Sequence, residues 1–348
     1  SPLYSTKLIS LECYFKDLIK LYEAKLLPQV LMLNGKKGIG KFTLVFHFLN
    51  YIYSQKEKTF YNIKDNLIDT NSTFYNSLLN KLCLDVIFLQ AEEGKNIKIE
   101  DVRNLKSVLS QSSISNNPRF IVIDDVEFLN SNSANALLKT LEEPSTNNYF
   151  ILINNQQAKL VETISSRCLK YNIYLNSEQK KKIIKHLLKD RKINLAINNE
   201  INLTPGLFIN YNTLLDKYDV DLNDNIYLII KKLLHAYKKD KNENLISMAI
   251  FLIEQFFHNL VNKNDNDIDF LLNLKTTIKN ANPQNTKLNI SLISSSLLSF
   301  LCVSVDSLTF QYLQRRPSYW PFLLEELSLL LCQILYLAHQ CIVLRVAF

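Results

Sequence analysis

No two of the six cysteines, at positions 13, 83, 168, 302, 332 and 341, stand at CxxC spacing. That excludes a zinc-finger spacing and a disulfide framework. Scattered thiols suit a reducing cytosol better than secretion. The first residues carry no apolar run of the secretory type, so a cytoplasmic protein is expected. The five histidines (47, 186, 235, 258 and 339) fall at neither metal nor triad spacing and read as structural. Charge of neither sign dominates: 40 Lys and Arg against 33 Asp and Glu leave a net +7. Such a balance permits contact with nucleic acid without demanding it. Lys and Asn, abundant earlier, vanish altogether from Ser291 to Phe348.

What is present is apolar matter in quantity. Hydrophobic residues make up 47% of the 348 residues and mean hydropathy is −0.03, the signature of a globular chain with room for two or three domains. Apolar runs of strand length alternate with helical patterns as far as about residue 175. The strands are Val30–Leu33, Leu84–Leu89, Phe120–Asp125, Tyr149–Ile153 and a short one near Leu169–Ile173. Helices are expected at 8–24, 43–53, 99–112, 131–143 and 159–164, and 54–80 reads as a polar surface insertion with no clear period. Strands alternating with helices imply an α/β domain with a mainly parallel sheet covered on both faces. From 176 the pattern is helical only: a basic helix over 176–192, short helices to about 216, a polar linker at 221–224, then amphipathic helices at 225–238, 244–262 and 266–280. This gives an α/β domain (1–175), a small helical domain (176–220), a helical domain (221–290) and an apolar segment (291–348). Three readings stand for that last segment: buried bundle helices, a tail of foreign origin, or a membrane span over 327–344. Gln333, His339 and Gln340 are expensive in lipid.

Chemistry concentrates at two strand ends. Val30–Leu33 runs into Gly35-Lys-Lys-Gly38-Ile-Gly40-Lys41, and an apolar helix follows. Strand, glycine loop and helix read as a phosphate cradle of backbone N–H groups at a helix N-terminus, with a glycine turn that never meets phosphate as the plain alternative. The pattern is complete up to its lysine. The next residue should offer a hydroxyl to magnesium, and it is Phe42; Thr43, one position late, points about 100° away on a helix. Asp124 stands where an ATPase holds magnesium through water. The water-activating glutamate expected beside it is Asp125, one methylene shorter, and a displacement of about 1 Å can cost on the order of 10²-fold in rate. Asp125 reads equally as a capping or salt-bridging carboxylate. Asn154-Asn155 ends the neighbouring strand, either near a γ-phosphate or as ordinary turn chemistry. The basic helix 176–192 reads as a solvated face or as a contact to DNA phosphate. Arg167, in Ser165-Ser-Arg-Cys168, sits on the domain flank away from the glycine loop. A planar, permanently charged guanidinium there suits a phosphate on a neighbouring subunit, with a salt bridge as the plain alternative.

Five stretches in order resemble bacterial clamp-loader subunits of the AAA+ class: Leu27–Gly35, Gly38–Lys41, Val122–Asp125, Asn135-Ala-Leu-Leu-Lys-Thr-Leu-Glu-Glu-Pro144 and Ser166-Arg-Cys168. The likeness covers roughly 8–175 well and 176–290 loosely. It implies a AAA+ P-loop domain, a helical lid and a collar that joins gamma/tau-like and delta-like subunits in a pentameric ring. That ring places a sliding clamp on primed DNA. It further implies that Arg167 is an arginine finger acting in trans, positioned by Ser166 and Cys168. Three departures point to the delta-prime branch, which gives a finger without hydrolysing ATP: Phe42, Asp125, and a lid stretch Leu203–Phe208 without arginine. No cofactor is then required; ATP or ADP at Gly35, Gly38, Gly40, Lys41, Thr43, Asp124, Asp125, Asn154 and Asn155 would be held passively. Many relatives hold zinc through four cysteines between the P-loop and the aspartate strand. Only Cys83 lies in that interval, so no zinc is expected. A gamma/tau-like ATPase using Thr43 and Asp125 is the alternative, and a membrane-attached adaptor a weaker one.

Overall fold

The computed structural model describes residues 2–261, apart from 56, 58, 81, 92–95, 110–116, 190–194, 196, 198–202 and 225. The chain divides into two units, Ser1–Asp219 and Val220–Phe348.

In the first unit the elements run α1 (Glu12–Glu23), β1 (Val30–Asn34), α2 (Lys41–Ser54), α3 (Thr73–Leu79), β2 (Val86–Gln90), α4 (Ile99–Leu109), β3 (Arg119–Asp124), α5 (Ser131–Glu142), β4 (Asn148–Asn154), α6 (Glu162–Ser165), β5 (Leu169–Asn172), α7 (Ser177–Lys189) and α8 (Pro205–Lys217). All neighbouring strands pair in parallel, in the order β2-β3-β4-β1-β5. The fold class is therefore the expected α/β parallel sheet. Parallel strands are joined by crossovers that lay helices on the sheet, so both faces must be apolar. The three central strands, β3, β4 and β1, satisfy this residue by residue, while the edge strands β2 and β5 are partly exposed. Leu31, Leu33, Phe120, Val122, Ile151 and Ile153 enter one core with Phe15, Phe46 and Phe48 from α1 and α2. Val30, Met32, Ile121, Ile123, Phe150 and Leu152 enter a second core with Val102, Leu105, Leu137 and Leu141 from α4 and α5.

The helix ends follow local chemistry. Asn130 caps α5 by accepting from Ser133 N at 2.8 Å. Pro144 stops it, because the residue before a proline leaves the helical region. Leu137 and Leu141 are buried on the inner face of α5 and Leu138 is partly so. The stretch 54–80, read from sequence as a surface insertion, contributes to the core instead. Tyr61, Ile68, Phe74, Tyr75 and Leu78 are buried against α1 and α2. Their spacing through Lys- and Asn-rich chain hides them from a periodicity search, and α3 is only seven residues long.

In the second unit, α9 (Ile226–Asp240) and α10 (Glu243–Val261) pack together through Ile229, Leu233, Leu245 and Met248. The helix expected at 266–280 and the segment 291–348, with its three readings, lie outside the described residues. Among those described, no helix is long and apolar enough to cross a membrane.

Phe120 is fully buried and stacks on Tyr149 at a ring separation of 5.1 Å, with Phe48 at 6.0 Å edge-on. Phe120→Ala is expected to cost about 3–5 kcal/mol in urea unfolding. Leu82→Ala, at a side chain 72% exposed, should change stability by no more than about 0.5 kcal/mol.

Candidate functional site

The C-terminal edge of the sheet gathers four loops. The register pairs Asn34 of β1 with Asn154 of β4 and with Asn172 of β5, and Asp124 of β3 with Ile153. The glycine loop, the paired aspartates and Asn154-Asn155 therefore emerge side by side, where ligands of open parallel sheets bind. Gly38 and Gly40 take positive φ of 81° and 98°, which lets the loop turn into α2.

Lys41 opens α2 and is turned back onto its own loop. Its Nζ donates to the carbonyls of Gly35 at 2.6 Å and Lys36 at 2.9 Å. Burial pulls its pKa down to about 8, against the opposing pull of Asp124, Glu127 and Asp125. Phe42 faces β2 and packs on Phe88, with ring centroids 5.5 Å apart. The position that would offer a hydroxyl to magnesium is an apolar contact. Thr43 lies in the first turn of α2, half-buried.

The carboxylates are saturated by amides. Asn155 Nδ2 donates to Asp124 Oδ1 at 3.0 Å and Asp125 Oδ1 at 2.8 Å, and Gln157 Nε2 reaches Asp125 Oδ1 at 3.2 Å. Asp125 adopts a left-handed backbone, φ 55°, which Asp tolerates better than most residues. Burial, then the neighbouring Asp125, raises the Asp124 pKa to about 6. Glu127, absent from the sequence reading, belongs to this cluster. It is 2% exposed, accepts from Asn155 N at 3.0 Å and Gln157 N at 3.2 Å, and has its pKa raised chiefly by burial. Its sequence signal is a lone acid inside the apolar run Val126-Glu-Phe-Leu129. Asn154 turns the other way: its Nδ2 donates to Asn34 Oδ1 at 2.8 Å, and Asn34 donates on to Asn172 at 2.9 Å. Lys41, Asp124, Asp125 and Asn155 thus form one cluster, while Asn154 belongs to an asparagine ladder beside it.

The N-terminus of α8 sits directly on the glycine loop. Thr204 Oγ1 donates to Lys37 O at 2.6 Å and Gly206 N to Gly38 O at 2.8 Å. The approach is so close that a Cβ at Gly38 would stand 2.6 Å from Thr204 Oγ1, and one at Gly206 2.8 Å from Gly38 Cα. Sequence reading missed this contact as well; Thr-Pro-Gly at a helix start was its only sign.

Arg167 lies elsewhere. It precedes β5, hence stands at the N-terminal edge of the sheet, the opposite end from the glycine loop. Its Nε donates to Glu142 Oε1 at 2.7 Å, its Nη2 donates to the same oxygen, and its Nη1 donates to Thr163 O at 2.8 Å. The side chain is still 30% exposed. Ser166 Oγ donates to Thr163 O at 3.1 Å and Cys168 Sγ to Ile164 O at 3.0 Å, which ties off the end of α6. Burial raises the Cys168 thiol to about 11, so it acts as a packed donor rather than a reactive group. Among the described residues, no group of His, Cys, Asp and Glu is arranged to hold a metal ion.

With this geometry in view, comparison with known proteins adds an ancestry. Residues 12–176 match the family model described as DNA polymerase III, delta subunit. Over these residues the chain is similar to DNA polymerase III clamp-loader subunits. The chain is 32% identical over 158 residues to DNA polymerase III subunit gamma of Buchnera aphidicola subsp. Acyrthosiphon pisum, a match over 45% of this chain and 42% of that protein. It is 38% identical over 86 residues to subunit delta′ of Haemophilus influenzae, covering 25% and 26%. Against subunit delta′ of Buchnera aphidicola subsp. Schizaphis graminum it is 27% identical over 171 residues, covering 47% and 48%. The chain covers less than half the length of each of these curated relatives. The matched segment contains the glycine loop, the aspartate pair and Arg167.

The raised Asp124 pKa has a definite sign. The native state holds this proton more tightly than the unfolded chain, so stability falls as pH rises from 3.8 to about 6 and stays lower above. Asp124→Asn keeps an oxygen to accept from Asn155 and removes the buried charge. It is expected to raise stability at pH 7 by on the order of 1–3 kcal/mol and to flatten the slope between about pH 4 and 6, measured by urea unfolding across pH.

Proposed function

We propose that this chain is a delta-prime-like subunit of the DNA polymerase III clamp loader. In this reading it gives Arg167 to the triphosphate bound by a neighbouring gamma/tau-like subunit and does not hydrolyse ATP itself. The supporting observation is the position of Arg167: it sits across the whole sheet from its own glycine loop, with its guanidinium still open to solvent. A charge in that position has no route to its own cradle. On a neighbour's γ-phosphate, a guanidinium supplied in trans stabilises the charge that develops in transfer, worth about 10³–10⁵ in rate in comparable systems.

The state of the home cradle supports the same reading. Lys41, the cation that would meet phosphate, is spent on loop carbonyls; Phe42 offers no ligand to magnesium; the Asp125 carboxylate accepts from two side-chain amides. The lid helix closes over Lys37 and Gly38. The chain then requires no cofactor and no zinc, and any ATP or ADP would be held passively. Its partners are gamma/tau-like and delta-like subunits in a pentameric ring in the cytoplasm. The sliding clamp and primed DNA are met through that complex. Similarity to gamma subunits favours a second reading, in which Thr43 and Asp125 sustain ATP hydrolysis by the chain itself.

Arg167→Ala in the assembled loader is expected to leave assembly intact and lower ATP turnover by roughly 10³-fold; unchanged turnover overturns the finger role. The purified chain alone should not turn over ATP with magnesium. Turnover that disappears on Lys41→Ala would establish the gamma-like reading instead.

A further inference from the structure

Glu142 lies 25 residues from Arg167 in sequence and on a different element, yet it takes two of the guanidinium's donors. Helix α5 ends on this residue, where the helix dipole disfavours a negative charge. A carboxylate in that position is poorly explained by the helix and well explained by Arg167. The way it binds matters more than the pairing itself. One carboxylate oxygen accepts from Nε and Nη2, the side edge of the guanidinium, and Thr163 O accepts from Nη1. Five N–H groups are available on an arginine. One N–H remains on Nη2, and the second on Nη1 makes only a long 3.4 Å bond to Ser166 Oγ, which a stronger acceptor can displace. Those two lie on the end of the fork, the edge that matches two phosphate oxygens.

We infer that Glu142 is a positioning residue for Arg167: it pins the guanidinium by its side edge and so presents the terminal edge, already oriented, to a phosphate on a neighbouring subunit. This inference rests on the finger reading above. Pinning acts on the rate rather than on binding, because the long side chain gives up its rotamer freedom before the reacting phosphate arrives. The ammonium of a lysine, a point charge without two edges, has no equivalent arrangement.

The test is steady-state ATP turnover of the loader assembled from the full chain with its gamma/tau-like and delta-like partners. Glu142→Ala is expected to lower kcat about tenfold with KM for ATP changed by less than about twofold, because the guanidinium still reaches phosphate but no longer waits in register. Glu142→Gln, which keeps one acceptor oxygen, should recover part of the loss. Glu142→Ala added to Arg167→Ala should cost nothing further, the mark of two residues acting through one contact. A Glu142→Ala loader as active as the parent, beside an Arg167→Ala loader that has lost activity, overturns the positioning role and leaves the finger reading standing. An equal loss when Glu142→Ala is added to the Arg167→Ala background also overturns it, since the carboxylate would then act by another route. If Arg167→Ala itself changes nothing, the finger reading and this inference fall together.

Discussion

Parallel strands sort the polar ends of a chain onto two opposite edges, and the rest of this molecule follows from that sorting. Every residue after a strand emerges at the C-terminal edge, and every residue before one at the N-terminal edge. The glycine loop after β1, Asp124 and Asp125 after β3, and Asn154-Asn155 after β4 are therefore neighbours by topology. Arg167 before β5 and Glu142 before β4 are neighbours for the same reason, at the other end. The two groups are kept apart by a sheet whose strands bury both faces, so neither group can migrate to the other. Arg167 and the glycine loop therefore cannot meet within one chain, which is the geometry that the in-trans proposal rests on.

The polar groups at the C-terminal edge of the sheet are turned inward. The buried Lys41 donates to two loop carbonyls, Asp124 and Asp125 accept from the Asn155 and Gln157 amides, and Glu127 accepts from backbone N–H groups. Buried polar groups are costly when unpaired, and this network leaves Lys41 and the aspartates their partners from within the fold. Gly38 and Gly206 allow the start of α8 to approach the loop backbone to within a distance that no side chain would permit. The glycine loop is held by its own lysine and by the start of α8.

Where the sequence spoke clearly, burial was the reason. The central strands β1, β3 and β4 read as continuous apolar runs because both faces are covered, and the observed strand limits differ from expectation by one or two residues, as at Val86–Gln90. The glycine loop and the aspartate pair were legible because φ above zero and a carboxylate at a strand end each demand particular residues. The contacts that complete the site were not legible, because they join residues far apart in the chain. Thr204 and Gly206 meet Lys37 and Gly38 across about 170 residues, and Glu142 meets Arg167 across two elements. Glu127 was hidden by its apolar neighbours, and Tyr61, Ile68 and Phe74 by their polar ones. A side chain's environment in such cases is set by which loops share an edge, and local sequence does not carry that information.

The central claim concerns where one guanidinium goes on assembly. A structure of the assembled loader with ADP and aluminium fluoride at the neighbouring subunit tests it directly. The account predicts both terminal nitrogens of Arg167 roughly 3 Å from the fluoride ligands, with Nε still on Glu142. An Arg167 that faces solvent there, while another residue meets the analogue's charge, would contradict it.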